Sequence, residues 1–183
     1  MYERPDVGEL SPPQRTLMGP GPSPVHPRVL KAMSTPLVGH LDPSFVDIMD
    51  ETQELLRYAF QTDNQWTIPV SGTGSAAMEA AIGNLTEPGD TFLAPTNGYF
   101  GDRMAEMARR AGGDVVRVGA PWGEPLDPDD VADACEEFDP DVFGFVHAET
   151  STGAKQTNVP ALTEAAHDHG ALVVADTVTS LGG

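Results

Sequence analysis

Val70-Ser71-Gly72-Thr73-Gly74-Ser75-Ala76-Ala77-Met78-Glu79-Ala80-Ala81 is the stretch on which the reading of this chain turns. Ahead of it, Trp66-Thr67-Ile68-Pro69-Val70 is apolar with β-branched members and reads as a short strand or the approach to one. Behind it, Ala76 to Leu85 carries small, helix-favouring residues with apolar positions at helical spacing. The glycines therefore fall where the chain turns into a helix. Gly72 and Gly74 permit a tight path and close approach to the backbone, and Thr73 and Ser75 set hydroxyls beside amides that lack intrahelical acceptors. Such a turn suits a phosphate or another anion; it equally suits a plain turn with an N-cap. It is not a Walker loop, because no Gly-Lys-Ser/Thr follows, and the G-x-G-x-x-G pattern fails at Ala77.

Working outward, strand-like and helix-like segments alternate. Glu87-Pro88-Gly89-Asp90 is a turn, Thr91 to Pro95 a strand, and Asn97-Gly98-Tyr99-Phe100-Gly101 a second glycine-flanked entry to a helix reaching about Arg110. A strand over Val115 to Val118, a helix over 129–138 and a strand over Asp141 to His147 follow. The last pair is a helix from Pro160 closed by Gly170, and the apolar strand Ala171 to Asp176. This alternation predicts an α/β fold with a mostly parallel sheet and helices on both faces. On the N-terminal side, Pro27 to Met33 predicts a short helix, and Phe45 to Phe60 a longer one that Ser44 would cap. Residues 1–27 are too rich in proline for a long helix or a central strand. With Leu17, Met18 and Val25 as apolar anchors, they are expected to form an arm against the body or a partner, leaving 28–183 as one domain.

The chain has 28 acidic against 10 basic residues and a net charge of -18, which disfavours binding to nucleic acid or an anionic membrane. Only Lys31 and Lys155 are lysines, and so acidic, lysine-poor a composition resembles that of proteins from salt-loving archaea. The single Cys135 excludes an internal disulfide and reads as a buried structural thiol. With no membrane span or targeting segment in the sequence, the expected location is cytoplasmic.

In an open α/β sheet, ligands collect beyond the carboxyl ends of the strands. SGTGS, NGYFG, HAETSTG and ADTVTS all fall at that edge. Asp176 ends an apolar strand, where a carboxylate must be solvated, paired as a cap or salt bridge, or used. His147, His167 and His169 lack a matching ligand set, so no metal site is expected. No G-x-S-x-G turn supports serine hydrolysis.

GPGPSPVHPRVL, SGTGSAAMEAAIGNLTEPGD, NGYFGDR, HAETSTG and VVADTVTSLGG together resemble, in order, the large domain of class V aminotransferases, from about Leu17 to Gly183. The resemblance implies the fold type I architecture of pyridoxal 5'-phosphate enzymes, with alanine–glyoxylate and serine–pyruvate aminotransferases as the nearest members. It assigns Thr73, Gly74 and Ser75 to the cofactor phosphate, and Phe100 to stacking on the pyridine ring, where some relatives carry tryptophan. Thr150 falls to the neighbourhood of the phenolic oxygen and Asp176 to the pyridine nitrogen, making Asp176 and Phe100 the catalytic candidates. The implied reaction moves an amino group from alanine or serine to glyoxylate or pyruvate. Another class V chemistry, such as cysteine desulfuration, and a non-catalytic cofactor-binding or interface module are the alternatives. The family's cofactor lysine lies one strand beyond the aspartate, past Gly183, so the chain is expected to be an incomplete cofactor-binding domain, inactive alone. Related enzymes resemble dimers with active sites at the subunit boundary, and residues 17–45 are expected partly at that interface.

Overall fold

The computed structural model describes residues 2–3, 5–19 and 21–182. Two helices come first, α1 (Pro27–Met33) and α2 (Pro43–Phe60). The alternating body then runs α3 (Gly74–Leu85), β1 (Thr91–Thr96), α4 (Tyr99–Ala111), β2 (Asp114–Gly119), α5 (Pro128–Phe138), β3 (Val142–Val146), α6 (Val159–Asp168) and β4 (Leu172–Asp176).

Local chemistry explains most of the boundaries. Asp127 caps α5 by accepting from the Asp129 amide, and Pro128 in the first turn gives up a donor that had no helical acceptor anyway. Gly112, in the left-handed conformation at φ 102°, ends α4 with its amide turned back on Ala108 and Arg109. On α4, Asp102 in the first turn and Arg109 and Arg110 in the last both complement the helix dipole. For α2 the cap is Asp42, whose Oδ1 accepts from the Ser44 amide at 2.8 Å, with Pro43 in the first turn. Ser44 therefore lies inside the helix, because the carboxylate one proline earlier already answers its amide.

The four strands form a wholly parallel sheet in the order β2-β1-β3-β4. All five residues of the inner strand β3 are buried, as a strand covered on both faces requires. On one face Leu93, Phe143 and Phe145 pack with Val131, Cys135, Leu162 and Ala166 of α5 and α6. On the other, Phe92, Val142 and Val146 pack with Met78 and Ile82 of α3 and with Met104 and Ala108 of α4. The expected α/β sandwich, helices on both faces, is the observed one.

Two features of this sheet position the site. The chain passes from β1 to β2 on one side and then crosses to β3 on the other, so β1 and β3 flank the point where strand order reverses. Those two strands pair only at Phe92↔Val142 and Leu93↔Phe143, whereas β1 and β2 stay paired from Thr91 to Thr96. Their carboxyl ends diverge beyond those pairs, at the edge where ligands bind in such sheets.

Trp66 to Val70 differ from expectation. They form no strand, and Trp66 is 89% exposed. β-branched residues favour an extended path, but a strand exists only with a neighbour to exchange hydrogen bonds, and none pairs with this segment among the described residues.

Candidate functional site

A cavity of about 180 Å³ opens at the carboxyl edge of the sheet beside β3 and β4. Thr73, Gly74, Ser75, Phe100, Thr150 and Asp176 all line it, with Met78, Val146, Ala148 and Val178 as its apolar walls. The six residues that the resemblance assigns to the cofactor thus converge on one small volume, although they span more than a hundred positions of chain. A wider, charged groove of about 810 Å³ adjoins it across Thr73 and Ser75 and runs between α3 and α4.

Thr73 caps α3 through its backbone only: its carbonyl accepts from the Ala76 and Ala77 amides at 2.9 and 3.3 Å, and its side chain makes no capping bond. The Gly74 and Ser75 amides have no acceptor among the described residues, and neither do the Thr73 and Ser75 hydroxyls. Four donors and the positive end of a twelve-residue helix therefore face the cavity mouth, which fits a phosphate. Gly72 is required just before them, because a Cβ there would stand 2.8 Å from that of Ala76.

Phe100 is the second residue of α4, half-buried, with its ring edge-on to Tyr99 at 5.3 Å. Asp176 ends β4; its carbonyl accepts from the His147 amide at 2.9 Å and its Oδ1 from the Val178 amide at 3.0 Å. Its Oδ2 has no partner among the described residues. The set therefore offers anion donors at one end, an aromatic face and a carboxylate, the three features needed to grip a flat, phosphorylated heteroaromatic ring. Neither Lys31 nor Lys155 lines the cavity, and Cys135, on the inner face of α5, is packed in the core.

Sequence reasoning missed one group. The diverging ends of β1 and β3 are filled by buried polar side chains: Asn97, Glu149 and Gln156. The Asn97 Nδ2 donates to the Glu124 carbonyl at 2.8 Å, and the Leu126 amide donates to the Gln156 Oε1 at 2.9 Å. Glu149, 1% exposed, accepts from the Phe100 and Gly101 amides through Oε2 and from the Ser151 amide and hydroxyl through Oε1. The signal was present in NGYFG: a helix whose cap is a glycine must find its acceptors elsewhere. Two helix N-termini meet this edge. That of α4 is answered by the protein's own carboxylate, and that of α3 is not.

The sequence matches the aminotransferase class-V family over residues 17–183. The chain is 43% identical, over 96% of its length, to the (S)-ureidoglycine–glyoxylate transaminase of Bacillus subtilis. It is 44% identical, over 93% of its length, to the alanine–glyoxylate aminotransferase of Drosophila melanogaster. The crystal structure of an alanine–glyoxylate aminotransferase from Nostoc sp. superposes on 97% of the chain with a TM-score of 0.92 at 51% identity. The chain spans less than half the length of these relatives: 42%, 43% and 47% respectively. With the glycine turn, the aromatic helix entry and the strand-end aspartate falling on one cavity of that shared fold, the chain belongs to the class V aminotransferases, the family whose cofactor is pyridoxal 5'-phosphate.

Proposed function

We propose that the complete protein carrying these residues transfers an amino group from a small amino acid, alanine or serine, to glyoxylate or pyruvate. The observation that carries this reading is the convergence of all six motif residues on one cavity at the uncapped N-terminus of α3. Two of the relatives are named for glyoxylate as partner to ureidoglycine and to alanine, which supports a small 2-oxo acid as acceptor.

In this reading the Gly74 and Ser75 amides, with the Thr73 and Ser75 hydroxyls, hold the phosphate of pyridoxal phosphate. Phe100 supplies a flat apolar surface for the ring, and the Thr150 hydroxyl donates toward the ring oxygen. Bound pyridoxal phosphate supplies an electron-poor ring able to accept the electron pair left when a substrate's α-proton departs. Asp176 keeps the ring nitrogen protonated, and so charged, through its carboxylate. The Val178 amide holds the Asp176 Oδ1, which leaves the Oδ2 lone pairs for that proton. Met78, Val146 and Val178 exclude water and so strengthen the ion pair.

The same reading takes residues 1–27 as an arm and 28–183 as part of the cofactor-binding domain, works as a homodimer, and places the protein in the cytoplasm. Among the described residues, no helix is long and apolar enough to cross a membrane.

The test is Asp176→Asn in the complete protein, with the half-reaction of alanine followed at the cofactor's absorbance band. An amide cannot favour the charged ring nitrogen as a carboxylate does. The rate should fall by at least about 100-fold while phosphate binding largely persists. A rate close to the parent's removes Asp176 from this role.

A further inference from the structure

The α4 helix begins with Gly98 as its cap and carries no side-chain acceptor of its own there. Its first three amides are nevertheless all satisfied, by a turn some fifty residues later. The Tyr99 amide donates to the Ser151 Oγ at 2.9 Å, and the Phe100 and Gly101 amides donate to the Glu149 Oε2 at 3.1 and 3.2 Å. The Ser151 hydroxyl in turn donates to the Glu149 Oε1 at 2.6 Å. Glu149 makes no ion pair among the described residues, so hydrogen-bond donors and the positive end of α4 balance its buried charge.

A serine or aspartate at position 98 would have capped the helix locally. Instead the space that a side chain at Gly98 would need is filled by the Glu149 Cγ and Cδ and the Ser151 Oγ. The consequence falls on Phe100, whose own amide is one of those held. Its backbone cannot rotate without breaking a bond to a buried carboxylate, so the point from which its side chain enters the cavity is set by Glu149.

From this geometry we propose that Glu149, seconded by Ser151, is a positioning residue that holds the α4 entry, and with it the Phe100 ring, where the cofactor stacks. The inference rests on the reading of Phe100 given above. It concerns how the aromatic wall is held.

The experiment uses the complete protein stripped of cofactor, and pyridoxal phosphate as the probe. Affinity is measured by equilibrium titration, the induced circular dichroism of the bound probe reports ring asymmetry, and hydrogen exchange reports the amides of residues 99–101. Glu149→Gln keeps the shape but turns an amide nitrogen toward the Ser151 donors or the α4 amides. It should speed exchange at those amides, alter the induced dichroism and weaken binding about tenfold. In a Phe100→Ala background, where no ring remains to be positioned, the same change should cost less than about twofold. Ser151→Ala, a milder lesion that serves if Glu149→Gln does not fold, should follow the same pattern with a loss of about threefold.

A Glu149→Gln or Ser151→Ala loss of equal size in both backgrounds overturns the inference alone, since the residue would then be acting on the fold. Unchanged affinity in Glu149→Gln also overturns it. Unchanged affinity in Phe100→Ala overturns the stacking role of Phe100, and the inference with it.

Discussion

Cys135 is fully buried against the sheet, and burial pushes its thiol above the ordinary value of 9.0 because a thiolate there would lose its hydration. The unfolded chain ionises this group at lower pH than the folded one, so the folded state binds more protons above pH 9. Stability should therefore be unaffected by this group below that pH and decline as pH rises past it. Melting temperatures between pH 8 and 10.5, for the parent and Cys135→Ala, check this: the parent should lose more on the alkaline side. At pH 8 the native thiol should also react with an aromatic disulfide reagent far more slowly than the thiol in denaturant. This burial was legible in the sequence, because a lone cysteine among helical apolar positions is an ordinary core residue. The role of Glu149 was not legible. Its partners Phe100 and Gly101 lie 49 and 48 positions away, and an acid in a Ser/Thr-rich turn reads as solvent-facing until the turn is folded.

Among the elements, α1 and α5 were legible almost to the residue, because Pro27 and Pro128 mark their first turns and sequence alone carries that signal. The entry to α3 was equally plain, since two glycines and a run of alanines leave little choice. Trp66 to Val70 show the limit. Extended propensity is local, whereas membership of a sheet depends on what lies alongside. The α4 entry offers the sharpest test at this scale. Gly98 has φ 174°, an extended conformation open to any residue, so the objection to a side chain there is space alone. Gly98→Ala must displace the buried Glu149 carboxylate or lift α4 from it. It should destabilise the protein by about 1–3 kcal/mol, read as a lowered denaturant midpoint at unchanged slope. Gly83→Ala, with nothing near its Cβ and a helical position, should be neutral or slightly stabilising in the same assay.

For the whole molecule, net charge and exposed apolar surface make separate predictions. A net charge of -18 repels itself in dilute buffer, and salt relieves that repulsion. We propose a halophilic composition on this basis: the melting midpoint of the complete protein should climb steadily from dilute to molar potassium chloride, and a flat or falling curve counts against it. Neither α1 nor α2 buries a single residue, and Leu30, Leu37, Leu41, Ile48, Leu55 and Tyr58 stand exposed along and between them. So much apolar surface on one segment fits a homodimer that covers it. Light scattering of the complete protein in molar salt should give at least a dimer, and a monomer under those conditions removes residues 17–45 from any interface. The general architecture was readable from alternation alone; the exposure of α1 and α2 was not, because the sequence names the apolar residues but not what lies against them.

The interlock of Gly98 with Glu149 also bears on how such a domain can vary. The α4 entry at 97–101 and the turn at 147–156 interlock, side chains of the turn holding the backbone of the entry, so the two should vary as one unit despite the strand and helix segments between them. A chimaera that takes one loop from a distant homologue and keeps the other would bring a side chain where there is no room, or leave an acid without its donors. Exchanging both at once preserves the fit, and recombination across this domain should be tolerated only at crossovers that keep the pair together.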